Sequence, residues 1–228
     1  MRVGVLGAGL FGTTAAIFAS RAGHEVHLFE KSDSIMRGAT FCNQYRLHQG
    51  YHYPRSTETV RQCQSGLKSF WHEYADAIIT PDKRGGGTST YAIAKNGSKV
   101  NAHEYLSFLN ANDLFHDPSI KSPLLNEDAV SLVVGVRESL LDFARLKAIV
   151  SEKLAETEVS LHFGQSACPS MRSEYDQIIV ACYAGQNRAL QDLSAPLTPI
   201  QYEAVEKPVI RLPAAYRGHG AVVMDGPF

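Results

Sequence analysis

Arg2-Val3-Gly4-Val5-Leu6-Gly7-Ala8-Gly9-Leu10-Phe11-Gly12, followed by a run of small residues and then by His24 to Glu30, decides the fold. Residues 2–6 are almost uniformly apolar, as a parallel strand covered on both faces must be. A glycine turn follows at once. From Gly12 to Ala22 the residues Ala15, Ala16 and Ala19 share a face, which predicts a helix able to lie close against a sheet, with Gly23 as its stop. His24 to Glu30 is the second strand. Strand, glycine turn, helix, strand and a terminal acid, in that order, read as a dinucleotide-binding βαβ unit. Gly7 permits the tight turn, Gly9 lets the backbone approach a pyrophosphate, and Gly12 lets the helix pack on the strand with its N–H groups toward the phosphates. Leu10 and Phe11 lie in the same turn and are counted with the site. Glu30, with Lys31 after it, is placed to accept from both hydroxyls of an adenosine ribose, which favours an unphosphorylated ribose. This motif alone leaves FAD and NAD open.

The 228 residues as a whole have the composition of an ordinary soluble globular protein, 44% apolar and 20% charged. With 22 basic against 23 acidic side chains there is no electrostatic footprint for nucleic acid or an acidic membrane surface. No stretch approaches the roughly twenty apolar residues of a membrane span, and the N-terminus reads as a strand, not a signal peptide. Cys42, Cys63, Cys168 and Cys182 lack zinc or redox spacing, so reduced thiols in a cytoplasm are expected.

Periodicity disappears between Lys31 and Arg55, where polar and aromatic residues accumulate as in a functional loop. Thr57 to Ile79 returns to helical spacing, with an apolar stripe that includes Trp71 and Tyr74 and reads as core. Ser56 or Thr57 is its cap and Pro81 its end. Lys83-Arg84-Gly85-Gly86-Gly87-Thr88 lacks the spacing of a phosphate loop and reads as a mobile surface loop. Strands are expected near Tyr91–Ala94, at Val130–Val136, Val159–Phe163 and Gln177–Ala181, and helices at Ala102–Leu109 and Ser139–Leu154. Pro208–Leu212 and Gly220–Met224 read as strands of an antiparallel sheet, and Asp225-Gly226-Pro227-Phe228 as a turn interrupted.

Beyond Glu30 the chain runs Ser34-Ile35-Met36-Arg37-Gly38-Ala39-Thr40, then Asn43-Gln44-Tyr45-Arg46-Leu47-His48-Gln49-Gly50-Tyr51-His52-Tyr53-Pro54-Arg55. From the first strand through this segment it resembles the D-amino-acid-oxidase-like superfamily of FAD-dependent oxidoreductases, and within it a bacterial subgroup carrying an Asn-Gln-x-Arg-Leu-His-x-Gly-x-His-Tyr-Pro-Arg string. Asp176 to Gly185 is similar to the family's late strand beside the cofactor, with Ala181 in place and Cys182 and Tyr183 departing from the usual small polar residues. The resemblance implies FAD as cofactor, with Arg37, Ala39 and Thr40 along the pyrophosphate and flavin. It implies oxidation of a small organic substrate, an amine or amino acid foremost, by hydride transfer to flavin N5. Members of the family continue well past this length, so the chain is expected to be short of the part that completes the cofactor domain.

Arg46, Arg55 and Tyr53 are candidates for holding a substrate carboxylate, and His48 or His52, with Arg46, for catalysis over the flavin. The bland reading of the same residues is a hydrogen-bonded loop that braces the cofactor. His48 and His52 are four apart, but Gly50 and Pro54 argue against a helix and no carboxylate completes a metal set, so none is expected. No nucleophile elbow is present. The expected architecture is α/β: a Rossmann-like FAD-binding domain with a parallel sheet from residues 1–44 and 133–190, plus a mixed or antiparallel α+β substrate-side region from 45–132 and 191–228. Rival readings are a NAD-dependent dehydrogenase, a nucleotide-binding module without turnover, and a truncated non-catalytic family member.

Overall fold

The computed structural model describes residues 1–84 and 88–224. Their strands are, in chain order, β1 (Arg2–Leu6), β2 (Glu25–Glu30), β3 (Arg46–Leu47), β4 (Ile78–Ile79), β5 (Ser89–Ala94), β6 (His116–Asp117), β7 (Val130–Val136), β8 (Ser139–Leu141), β9 (Ser160–Phe163), β10 (Gln177–Val180) and β11 (Gly220–Met224). The α-helices are α1 (Leu10–Arg21), α2 (Thr57–Tyr74), α3 (Ala102–Ala111), α4 (Phe143–Ala155), α5 (Met171–Glu174) and α6 (Gln186–Asp192). The chain divides into two compact units, Met1–Gln44 with Phe143–Pro208, and Tyr45–Asp142 with Val209–Phe228.

The first unit is built on a fully parallel sheet of order β10-β1-β2-β9, with Leu6 of β1 level with both Phe29 and Val180. After Arg2 its strand β1 is apolar and buried, as a strand covered on both faces must be. On one side α1 packs on β1 and β2 and against α4. Elsewhere in this unit Leu6, Phe29, Met171, Tyr175, Ala189 and Leu193 form a second buried cluster. A Cβ on Gly4 would stand 3.2 Å from the Tyr175 ring, so the glycine lets that ring lie on the strand.

The second unit holds a mixed sheet, β11-β5-β7-β6, and a small antiparallel one, β3-β8-β4. Its core gathers Tyr51, Tyr91, Ile93, Val100, Tyr105, Leu109, Leu114, Val134 and Val136. The buried phenols are satisfied, as buried polar atoms must be: Tyr51 donates to the Phe115 carbonyl at 2.8 Å and Tyr105 to the Tyr51 carbonyl at 3.0 Å.

Several expectations are corrected. Helix α2 ends at Tyr74, and the chain passes through one 3₁₀ turn into β4. On α2, Tyr74 is buried but Trp71 stays 41% exposed, so Trp71 is not core. Ser139–Leu141 is strand, not helix, because it sits between β3 and β4 and its backbone is used by both ladders. Strand β7 belongs to the second unit, since it pairs with β5 and β6. Residues 191–208 fall in the first unit. Pro208–Leu212 forms no strand and is open to solvent, with Val209 fully exposed. Strand β11 is present but runs parallel to β5, a register set by Gly220 N–H donating to the Thr88 carbonyl and Thr90 Oγ1 donating to the Gly220 carbonyl. Gly85 to Gly87 of the basic loop and the Asp225–Phe228 turn lie outside the described residues.

Candidate functional site

The turn between β1 and α1 can be made only with glycine at two places. Gly7 has φ +97°, and a Cβ there would meet the Ala181 carbonyl oxygen at 2.6 Å. At Gly12 a Cβ would fall 1.8 Å from the Gly7 carbonyl oxygen. Gly9 differs: an added Cβ would meet only Thr40 Oγ1, at 3.2 Å, so its outward side is otherwise open. Gly9 is also the N-cap of α1 and offers no side chain to the helix, whose Leu10 N–H donates to Thr40 Oγ1 at 3.1 Å. A helix start whose N-cap residue brings no side chain, above an open backbone, is a place where an anion can bind.

The Glu30 carboxylate reaches this turn from the end of β2. It accepts from Ala8 N–H and from Ser32 N–H, both at 2.9 Å, and is half-buried. Met36, at φ +60°, donates its N–H to the Ala8 carbonyl at 2.8 Å and folds the following segment back over the turn. That brings Thr40 to α1, while Asn43 Nδ2 donates to the Thr40 carbonyl at 2.6 Å. Lys31, Ala39 and Arg37 are exposed, the last 3.8 Å from Asp33, and Phe11 is 84% exposed. Ala181 stands where a Cβ on either Gly7 or Gly12 would meet it, and burial pushes the neighbouring Cys182 thiol up, with Glu30 adding to it.

The second unit contains the other cluster. Arg46, from β3, donates through Nε to Glu138 Oε2 at 2.8 Å, and its NH2 group also reaches Glu138 and the Tyr91 hydroxyl. Glu138 is 2% exposed. Burial alone would raise its carboxyl, but His48 and Arg46 more than offset this and hold it below the ordinary value. Burial drives the Tyr91 hydroxyl far up, so it stays a neutral donor. His48 Nδ1, itself buried, lies 3.5 Å from Glu138 Oε1, and the His48 ring is 6.3 Å from that of His52 and 6.0 Å from that of Tyr53. Desolvation lowers His52, with Arg46 and His48 acting in the same direction. Arg46, His48, His52 and Tyr53 are therefore brought together, whereas Arg55 stands on the exposed surface. Glu138 and Tyr91 were not singled out in the sequence. The one signal for Glu138 is an acid two residues past the apolar run of β7, after Arg137.

The profile of the FAD-dependent oxidoreductase (DAO) family matches residues 2–215. The chain belongs to the DAO family. Among its relatives, the FAD-dependent monooxygenase kojA of Aspergillus flavus is 37% identical over 79 residues, 35% of this chain and 18% of that protein. The D-amino acid dehydrogenase of Phenylobacterium zucineum is 41% identical over 82 residues, 36% of this chain and 18% of that protein. Glycine oxidase from Geobacillus kaustophilus superposes with a TM-score of 0.63 at 13% identity, over 85% of this chain and 58% of that one. This last likeness shows the fold alone. The chain thus spans little more than half of that solved relative, and the matches take in under a fifth of the curated ones.

Membership of the DAO family makes FAD the cofactor to test against the site, and sets the NAD reading aside. The residues fit its adenosine diphosphate half. Gly9 and the start of α1 would hold the pyrophosphate, and Glu30 the ribose hydroxyls in exchange for its two backbone donors. No group of three or more metal-ligating side chains occurs among the described residues, and no described helix is long and apolar enough to cross a membrane.

Proposed function

We propose that this chain carries the FAD-binding portion and part of the substrate side of an oxidoreductase acting on a small amine or amino acid. The observation that carries the reading is the Gly7–Gly12 turn with the Glu30 carboxylate folded against it, at the C-terminal end of a parallel sheet. Bound there, FAD supplies a two-electron acceptor whose N5 takes hydride from the substrate. The protein's part is then to hold and orient the substrate and to manage one proton.

In this reading His48 and His52 are the catalytic groups. His52, lowered by desolvation and by Arg46, is neutral at pH 7 and can accept the proton that an ammonium substrate must lose before its C–H bond is oxidised. Arg46 has its charge matched by Glu138, and we assign it to holding His48 and the loop in place. Arg55 and Tyr53 are the proposed partners of a substrate carboxylate, Arg55 because its exposed guanidinium is not committed to Glu138.

The test is a visible spectrum of the purified chain before FAD, after FAD and after desalting, followed by anaerobic addition of amino acids and amines. Retained flavin that bleaches with one substrate class supports the reading. A chain that stays colourless after incubation with FAD would sink it.

A further inference from the structure

In the sheet order β10-β1-β2-β9 the chain leaves β1 through α1 to β2 on one side, while β10 lies on the other. Ligands of open parallel sheets bind at the C-terminal strand ends where the connections diverge in this way. Two segments emerge there: Gly7–Gly12 from β1, and Ala181–Tyr183 from β10.

Tyr183 has φ +49°, a left-handed conformation that is uncommon for a residue with a Cβ. Its backbone neighbours are pinned. Ala181 N–H donates to the Leu6 carbonyl at 2.8 Å, Cys182 Sγ donates to the same oxygen at 3.3 Å, and Gly185 N–H donates to the Cys182 carbonyl at 2.9 Å. The side chain has no such ties. It is 78% exposed and makes no hydrogen bond or ring contact among the described residues. Met36 flanks the same turn with φ +60°, but it is 1% exposed, and burial accounts for it. The pinned turn holds the Tyr183 backbone, but among the described residues nothing engages its side chain.

We propose that Tyr183 is a cofactor clamp, its phenol ring stacking on the flavin ring system of bound FAD and holding the cofactor in the chain. The choice of the flavin half follows from position. Glu30, the ribose acid, ends β2, so a dinucleotide laid over the end of β1 with its adenosine toward β2 carries its other half toward β10 and Tyr183. An aromatic ring carried on a pinned backbone has few torsions to order on stacking, and an electron-rich phenol in contact with a flavin quenches its emission. The inference rests on the FAD reading above.

It is tested on the full chain by FAD titration, emission of the bound flavin, and thermal stability without FAD, in wild type, Tyr183→Gly and Tyr183→Phe. Glycine accepts φ +49° freely, so Tyr183→Gly should match or exceed the wild-type stability without FAD. Its Kd for FAD should rise about tenfold or more and its bound flavin should emit more strongly. Tyr183→Phe should keep a Kd near wild type. The clamp is overturned if Tyr183→Gly holds FAD with wild-type affinity and quenching, or if both variants lose stability without FAD, which would assign the residue to the fold. Wild type failing to hold FAD at all would bring down the FAD reading and the clamp together; wild type binding with Tyr183→Gly unchanged brings down the clamp alone.

Discussion

A Cβ added at Gly12 would stand 1.8 Å from a backbone oxygen, which no side-chain rotation can relieve. Gly12→Ala should therefore cost roughly 2–4 kcal/mol of stability, read from urea unfolding, and abolish FAD binding. Gly9→Ala meets only the Thr40 hydroxyl, so it should fold nearly normally and lose affinity for FAD alone. A different kind of residue effect is expected at Glu138. Glu138→Gln leaves the Arg46 guanidinium buried without its counter-charge, a loss of about 3–5 kcal/mol at pH 7. A carboxyl held below its ordinary value of 4.5 contributes stability above that pH, and the contribution fades as pH falls through the lower folded-state value. The gap between wild type and Glu138→Gln should accordingly narrow in acid below about pH 4. A gap that is the same at pH 7 and in acid would show that the carboxylate charge is not its source. Gly12 was legible in the sequence because its constraint is local, five residues from Gly7. Glu138 was not, because its partner Arg46 lies 92 residues away.

The same distinction holds for whole elements. Strand β1, helix α1 and strand β2 were readable because an apolar run, a glycine turn and a small-residue helix each announce themselves within a dozen residues. Ser139–Leu141 has no such signature: Ser-Leu-Leu continues the spacing of α4, and only pairing with Arg46–Leu47 and Ile78–Ile79 makes it strand. The direction of β11 was equally hidden, since an apolar five-residue strand looks alike in parallel and antiparallel ladders. Local signals also carry measurable energy. At the start of α3, Asn101 Oδ1 accepts from Glu104 N–H and Glu104 Oε2 accepts from Asn101 N–H, both at 2.9 Å. Asn101→Ala should lower stability by about 1 kcal/mol, and Asn101→Ser, which keeps an accepting oxygen, by much less. Equal losses for the two, measured as urea midpoints, would show that the cap oxygen is not what stabilises α3.

At the scale of the molecule, the chain has two units, each with its own core, and the proposed nucleotide site would draw on four separated stretches of the first: the glycine turn, Glu30, Met36–Thr40 and Ala181. A ligand that bridges such stretches binds only the folded unit, so it should stabilise by mass action. At FAD one hundred times its Kd the gain is about 2.7 kcal/mol. For a protein of 228 residues that corresponds to roughly 5–10 °C in Tm, measured at several FAD concentrations. The shift should grow with the logarithm of free FAD, be absent with NADH, and shrink in Glu30→Ala, which removes the proposed acceptor for the ribose hydroxyls together with the carboxylate that holds Ala8 N–H, while keeping the glycines of the turn. A shift of equal size in Glu30→Ala would mean that FAD is held elsewhere than on the β1–α1–β2 unit. A wild-type Tm that does not respond to FAD would mean that the folded chain, as it stands, has no site for it.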